Sequence, residues 1–191
     1  MKEDFLIVAL EGPSFSGKTI LVNRRKMHPA FIIIPEYYEI NNNLSLAGDN
    51  PRRDTLGQME VFFKLMTFEC QRQQSLKEAI LEEKNVILDR TFFSLLSYEY
   101  ARYESRNTWK KISNIIEQCE FTPPQLILYI DTPAEEVKRR GVSNGMKEDH
   151  IMLNKEFIDK NRVFFLNEVS RITMVELCTY KEADNFINTL G

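Results

Sequence analysis

The sequence predicts an α/β domain: a doubly wound parallel sheet of about five strands with helices on both faces. Three observations carry this expectation. Short apolar runs rich in β-branched residues recur along the chain, and stretches long enough for helical crossovers separate them. The first run breaks into a loop framed by two glycines, after which a helical pattern starts at once.

Taken in order, the strands are "FLIVAL" (5–10), "FIII" (31–34), "NVILD" (85–89), "QLILYID" (125–131) and "ITMVEL" (172–177). Each is a continuous apolar run rather than an alternation, the pattern of strands buried on both faces. A helix follows the opening loop from "KTILVNRRK", and the polar stretch 41–53 reads as a loop leaving the second strand. The longest helical pattern covers roughly 54–83, and further helices are predicted over 92–105, 107–119, 133–140, 149–168 and 181–190. Before the fourth of these, Thr132 and Glu135 have the spacing of a capping box, with Pro133 at the first helical position. Lys138, Arg139 and Arg140 then fall in a last turn before Gly141, where the helix dipole favours cations. The loop 141–149 and the basic turn before it make a mobile lid over about 138–149. No repeat or domain boundary interrupts the 191 residues, so one domain is expected over 1–191.

Composition narrows the class. Apolar residues make up 43% and charged residues 28%, a globular balance. The formal charge is −3, both signs are interspersed, and the basic knots at 23–26 and 51–53 are short, so no nucleic-acid partner is expected. Cys70, Cys119 and Cys178 are far apart and odd in number, and the only histidines are His28 and His150. Reduced thiols in a cytoplasmic protein, without structural zinc, fit that pattern. The apolar run near the start is too short for a signal peptide, and no stretch has the length of a membrane span.

"GPSFSGKT" matches G-x-x-x-x-G-K-S/T over Gly12, Pro13, Ser14, Phe15, Ser16, Gly17, Lys18 and Thr19. Glycines let the backbone curl so that successive N–H groups face inward as an anion nest, and the following helix adds its positive end. Lys18 reaches terminal phosphates, and Thr19 offers a hydroxyl to Mg²⁺. The loop is predicted to hold a nucleoside triphosphate.

Other strand ends must decide the reaction. "VILDRTFFS" sets Asp89 and Arg90 at the carboxyl end of a strand, the edge at which open α/β sheets bind ligands. Asp89 there organises Mg²⁺ or accepts a proton, and Arg90 holds phosphate, unless the pair is only a helix cap and a surface arginine. "IIIPEYYE" sets Glu36 past the second strand, with Tyr37 and Tyr38 beside it. A carboxylate in that place can bind an acceptor hydroxyl and take its proton. Capping explains most of "YIDTPAEEVKRRG", yet at least one of Arg139 and Arg140 is placed to neutralise a transferring phosphoryl group from the lid.

These motifs together resemble the thymidylate kinase and deoxynucleoside kinase superfamily of P-loop phosphotransferases across nearly the whole chain. "ALEGPSFSGKT" is similar to the thymidylate kinase opening, and "VILDR" to its Asp-Arg motif, which stands where deoxynucleoside kinases carry Glu-Arg-Ser. "LILYIDTPAEEVKRR" and "FIDKNRVFFLNEV" resemble the shared strand, helix, basic lid and following helix. Two departures stand out. "IPEYYEI" replaces the Arg-Glu-Pro-Gly-Gly-Thr of thymidylate kinases and is closer to the Pro-Glu-Pro of deoxynucleoside kinases, and Thr91 replaces the serine after the motif arginine. The resemblance implies that Glu36 is the general base. A Pro-Glu-Tyr stretch is also similar to ribosylnicotinamide kinases, which leaves the acceptor open among nucleosides, nucleoside monophosphates and related ribosides. In these families the long helix lines the acceptor pocket and often forms a homodimer interface; Met59, Phe62, Phe63, Met66 and Phe68 suit either job, with plain core as the other reading for most of them, and Gln58, Lys64 and Arg72 are polar candidates for base or phosphate contact.

The expected activity is transfer of the ATP γ-phosphoryl group to such an acceptor, with Mg²⁺ held at Thr19 and Asp89 and with Lys18, Glu36, Arg90 and the lid arginines in catalytic roles. The alternative is a P-loop switch without a small acceptor. "DTLG" (54–57) matches the Asp-x-x-Gly of GTPases, but the guanine-reading Asn-Lys-x-Asp is missing, since "NKEF" at 154–157 ends in phenylalanine.

Overall fold

A computed structural model of the chain describes residues 5–40, 55–102, 114 and 118–191, apart from the side chains of Tyr38 and 55–61. In chain order the elements are β1 (Ile7–Glu11), α1 (Lys18–Arg25), β2 (Phe31–Ile34), α2 (Tyr37–Ile40), α3 (Thr55–Leu81), β3 (Asn85–Asp89), α4 (Phe92–Arg102), β4 (Leu126–Ile130), α5 (Ala134–Ser143), α6 (Lys155–Asn167), β5 (Met174–Cys178) and α7 (Tyr180–Asn188). Short 3₁₀ turns at Ile151–Leu153 and Val169–Arg171 flank α6. The five strands form one parallel sheet in the order β2-β3-β1-β4-β5, as the strand–helix alternation predicts.

Alternation along β1 shows why the sheet is covered twice. Ile7 and Ala9 point into a cluster with Phe62 and Met66 of α3, Phe92 and Phe93 of α4, and Phe164 and Phe165 of α6. Val8 and Leu10 point the other way, onto Leu21 and Val22 of α1 and Ala183 and Ile187 of α7. Successive side chains of a strand face opposite sides, so a run apolar at every position needs helices on both. β1 and β4 are buried throughout.

The fifth run departs from this expectation. β5 pairs with β4 and is the last strand in the sheet order, and Met174 and Leu177 are 61% and 40% exposed. An apolar run does not by itself tell a central strand from an edge, because position in the sheet is decided by topology.

The segment after β4 also differs. No capping box forms at Thr132: Pro133 itself is the N-cap, with φ −53° and ψ 140°, and no side chain caps the helix. Nor does Gly141 end α5. The helix continues to Ser143, and Gly145, at φ 85°, is the residue that turns the chain out in the left-handed conformation. Gly141 sits in the helix interior because a β-carbon there would meet Leu153 and Phe15. The loop expected over 141–149 is therefore shortened from its start. The next helix begins at Lys155 rather than 149, where the Asn154 side chain accepts a hydrogen bond from the Phe157 N–H at 3.1 Å. The loop expected at 41–53 and most of the helix expected over 107–119 lie outside the described residues.

Alanine normally stabilises a helix interior relative to glycine by about 1 kcal/mol. Gly141→Ala reverses that sign, because Leu153 is buried and Phe15 belongs to the glycine-framed loop. We expect a net loss of ~1–2 kcal/mol from overpacking, read as a lower urea midpoint with unchanged slope.

Candidate active site

β1 delivers the chain to the site with Glu11, and the loop then reverses at Gly12. There φ is 128°, and a β-carbon would lie 2.6 Å from the Ile130 carbonyl oxygen, so only glycine lets β1 and β4 stay adjacent at this edge. Phe15 and Gly17 also have positive φ, and the curl they make ends at Lys18, the first residue of α1.

Lys18 is folded back into its own loop. Its Nζ donates to the carbonyls of Gly12 (3.1 Å) and Pro13 (2.7 Å) and to Ser16 Oγ (3.0 Å). Burial and the neighbouring Arg90 charge together push its ammonium down to about 7, against the pull of Asp89, Glu36 and Glu11. A ligand with several negative charges would reverse both effects.

β3 delivers Asp89 and Arg90 beside it. Asp89 is fully buried, and its Oδ2 accepts from Thr19 Oγ1 at 3.2 Å, while Oδ1 has no hydrogen-bond partner. Burial and the Glu36 charge raise its carboxyl, opposed by Lys18, Arg90 and the Thr19 hydroxyl. An orphaned buried carboxylate oxygen next to a threonine hydroxyl is an oxygen-donor pair of the kind Mg²⁺ takes when phosphates and water complete its shell. The described residues contain no group of three or more acidic, histidine or cysteine side chains able to hold a metal alone. Thr19 and Asp89 thus fit a metal shared with phosphate.

Arg90 lies in the left-handed region, φ 66°, which costs a non-glycine residue about 1–2 kcal/mol. The strain aims its guanidinium inward. Nε donates to Glu36 Oε1 at 2.5 Å and Nη1 to the Gly12 carbonyl at 3.1 Å, with Glu11 Oε2 at 3.9 Å. Burial opposes ionisation of Glu36, but Arg90 and Lys18 outweigh it and hold the carboxyl below its usual range.

Lys18, Thr19, Glu36, Arg90, Arg140 and Tyr180 line one open cleft of about 780 Å³. Arg140 reaches it by donating from Nη1 to the Phe15 carbonyl at 2.9 Å, while its Nε donates to Glu136. Arg139 is not brought to the cleft. Its side chain is 68% exposed and forks onto Glu136 with two 2.7 Å bonds, because consecutive helix residues diverge by about 100°.

Sequence reasoning missed what Glu11 does. This carboxylate is fully buried, and its oxygens accept from the Thr91 N–H (2.8 Å), Thr91 Oγ1 (2.7 Å) and Ser94 Oγ (2.6 Å), anchoring the start of α4 to β1. An acid ending a fully apolar strand was the available signal. Among the long-helix candidates, Phe62 and Met66 are core, Phe63 is 49% exposed, and Arg72 is buried away from the cleft. Gln58 and Met59 have no described side chain, and Lys64 is exposed.

No protein-family model and no curated protein sequence matches the chain. Solved structures do. A deoxyadenosine kinase from M. mycoides with bound dATP is 13% identical, covers 96% of this chain and 97% of its own, and superposes with TM-score 0.71. The same enzyme with dCMP and a flexible dCDP is 14% identical over 97% and 98%, at TM-score 0.71. A thymidylate kinase from Candida albicans is 14% identical over 97% and 90%, at TM-score 0.70. The chain has the fold of the deoxynucleoside and thymidylate kinases. No helix among the described residues is long and apolar enough to cross a membrane.

The depressed Lys18 gives a directional test. With its ammonium near 7 in the free protein, Lys18 is mostly neutral at pH 8, and bound polyphosphate raises it toward the usual lysine range. Calorimetric titration with Mg-ATP at pH 8, repeated in buffers of different ionisation enthalpy, should show uptake of up to about one proton. Uptake should vanish in Lys18→Ala and shrink at pH 6, where the ammonium is already charged.

Proposed function

We propose that this protein is an ATP-dependent phosphotransferase that moves the γ-phosphoryl group to a nucleoside, a nucleoside monophosphate or a similar small riboside. The observation that carries the proposal is the Glu36–Arg90 ion pair at 2.5 Å, on the wall of the same cleft as Lys18 and Thr19. A loop that only stored a nucleotide would have no use for a strained, buried arginine holding a carboxylate at the rim. The fold shared with kinases whose structures hold dATP, dCMP and dCDP supports the reading.

In this reading the loop amides from Gly12 to Thr19 and the Lys18 ammonium hold the donor phosphates once Lys18 leaves its own carbonyls. Thr19 and Asp89 would hold Mg²⁺, which supplies charge neutralisation between the donor phosphates. Glu36, ionised and held by Arg90, accepts a hydrogen bond from the acceptor hydroxyl and takes its proton as the new P–O bond to the γ-phosphorus forms and the bond from that phosphorus to the β–γ bridging oxygen breaks, releasing ADP. If the acceptor is already a phosphate, Glu36 instead orients a neighbouring hydroxyl. Arg90 has a second edge of its guanidinium turned to the Gly12 carbonyl, and from there it can follow charge spreading onto the transferring group. Arg140 does the same from α5, the start of the lid at 138–149. Arg139, facing solvent, is assigned no contact. The protein is read as cytoplasmic and homodimeric, with Cys70, Cys119 and Cys178 in no disulfide.

Lys18→Ala should abolish ADP formation with every acceptor, and retained turnover would refute the assignment. In Glu36→Gln, kcat should fall by ~10²–10⁴ while the Kd for Mg-ATP stays within about threefold; equal losses in both would remove the base role. Arg140→Ala should lower kcat by ~10²-fold and Arg139→Ala by less than about threefold. The acceptor is identified by an ADP-release screen over nucleosides, nucleoside monophosphates and nicotinamide riboside, with Lys18→Ala as the blank.

A further inference from the structure

Arg72 of α3 is 3% exposed and touches the backbone of both motif residues on β3. Its Nη2 donates to the carbonyl of Asp89 at 3.0 Å and to that of Arg90 at 2.6 Å. Its Nη1 donates to Glu69 Oε2 at 3.2 Å, and its guanidinium carbon lies 4.5 Å from the centre of the Tyr37 ring. Tyr37 follows Glu36 in the chain, and its hydroxyl donates to the same Glu69 oxygen at 2.8 Å. Gln73 Nε2 closes the group onto Glu69 Oε1 at 2.7 Å, and its own Oε1 accepts from the Thr122 N–H at 2.9 Å.

The chemistry explains the choice of arginine. The two carbonyls are successive ones at the strand end, that of Asp89, the last residue of β3, and that of Arg90 at φ 66°, and buried carbonyls need donors. One guanidinium nitrogen meets both carbonyls while the other reaches Glu69 and the flat group lies over the Tyr37 ring, a spread over two nitrogens and a plane that the single nitrogen of a lysine lacks. A residue expected to read a base or phosphate is turned wholly inward instead.

We propose that Arg72 is a positioning residue: it locks the left-handed turn at Arg90 and, through Tyr37, the start of α2, so that Arg90 and Glu36 meet at the rim of the cleft. The catalytic half of this inference rests on the phosphotransferase reading, and its conformational half does not. The loop from Gly12 to Thr19 makes none of these contacts, so its own hold on metal-free ATP should be left intact, whereas Asp89, which would hold Mg²⁺, is touched at its carbonyl.

Two variants test it. Glu69→Gln with Arg72→Met removes both buried charges together, leaving neither stranded. Arg72→Lys keeps the charge opposite Glu69 and loses only the fork. Three quantities are read in each: the Kd for ATP without Mg²⁺, kcat with an accepted acceptor, and the ¹⁵N-resolved Nε–H signal of Arg90, assigned by its loss in Arg90→Lys. We expect metal-free ATP affinity within about threefold of the parent, a kcat loss of ~10²-fold, and an Arg90 Nε–H that exchanges at least ~10-fold faster. A purely structural role would be met by lysine, so an Arg72→Lys protein with parental kcat and an unchanged Arg90 signal overturns the proposal, as does a lost signal with kcat intact. If the parent transfers phosphate to no acceptor, the phosphotransferase reading fails while the Arg90 signal still decides whether Arg72 is the lock.

Discussion

The buried guanidinium of Arg90 joins three sheet edges. From the end of β3 it bonds the Gly12 carbonyl after β1 and the Glu36 carboxylate after β2, with Glu11 close by. Those edges can meet only because β2, β3 and β1 are consecutive in a parallel sheet, with all carboxyl ends on one side. Everything at the site is arranged around one permanent positive charge that never deprotonates.

Burying that charge creates an obligation to pair it, and the pairing propagates. Glu11 stands near Arg90 and anchors Thr91 and Ser94, so the strand that begins the phosphate loop also holds the helix following the Asp-Arg motif. Glu36 balances it from the other side. Lys18, unable to bring a second full positive charge cheaply into the same volume, is displaced toward neutrality and rests on its own loop's carbonyls. A buried charge cluster of this kind stabilises little in itself, since desolvation offsets most of the Coulomb attraction. Its consequence is a site set under tension, which on the proposed reading an incoming polyanion relieves.

Individual residues show where sequence reasoning reaches and where it stops. The curl of the loop Gly12–Thr19 was legible because a tight backbone reversal needs glycine at particular local spacings, and Gly12 and Gly17 both take positive φ. The five strands were legible because burial on both faces writes a continuous apolar run. β5 reads the same as β1, yet it lies at the edge with Met174 and Leu177 exposed. Gly141 looked like a stop, but its need for glycine comes from Leu153 and Phe15, which no local pattern reports. Arg139 and Arg140 are neighbours of one type, and only helix phase against the rest of the molecule tells the one facing the cleft from the one facing water. Arg72 meets the Asp89 carbonyl 17 residues on, and Glu11 meets Ser94 83 residues on, contacts that no local pattern reports.

The sequence by itself determined the groups on offer: a glycine-framed loop, a lysine and threonine to follow it, and an acid and arginine ending an apolar strand, all set by short-range spacing. Tertiary structure decided which of those groups meet. Strand order is a long-range property, and it places Glu36, Asp89 and Lys18 together although 71 positions separate Lys18 from Asp89. Pairing and desolvation then set the charge each group carries, because a buried ion is defined by its neighbours and not by its own side chain.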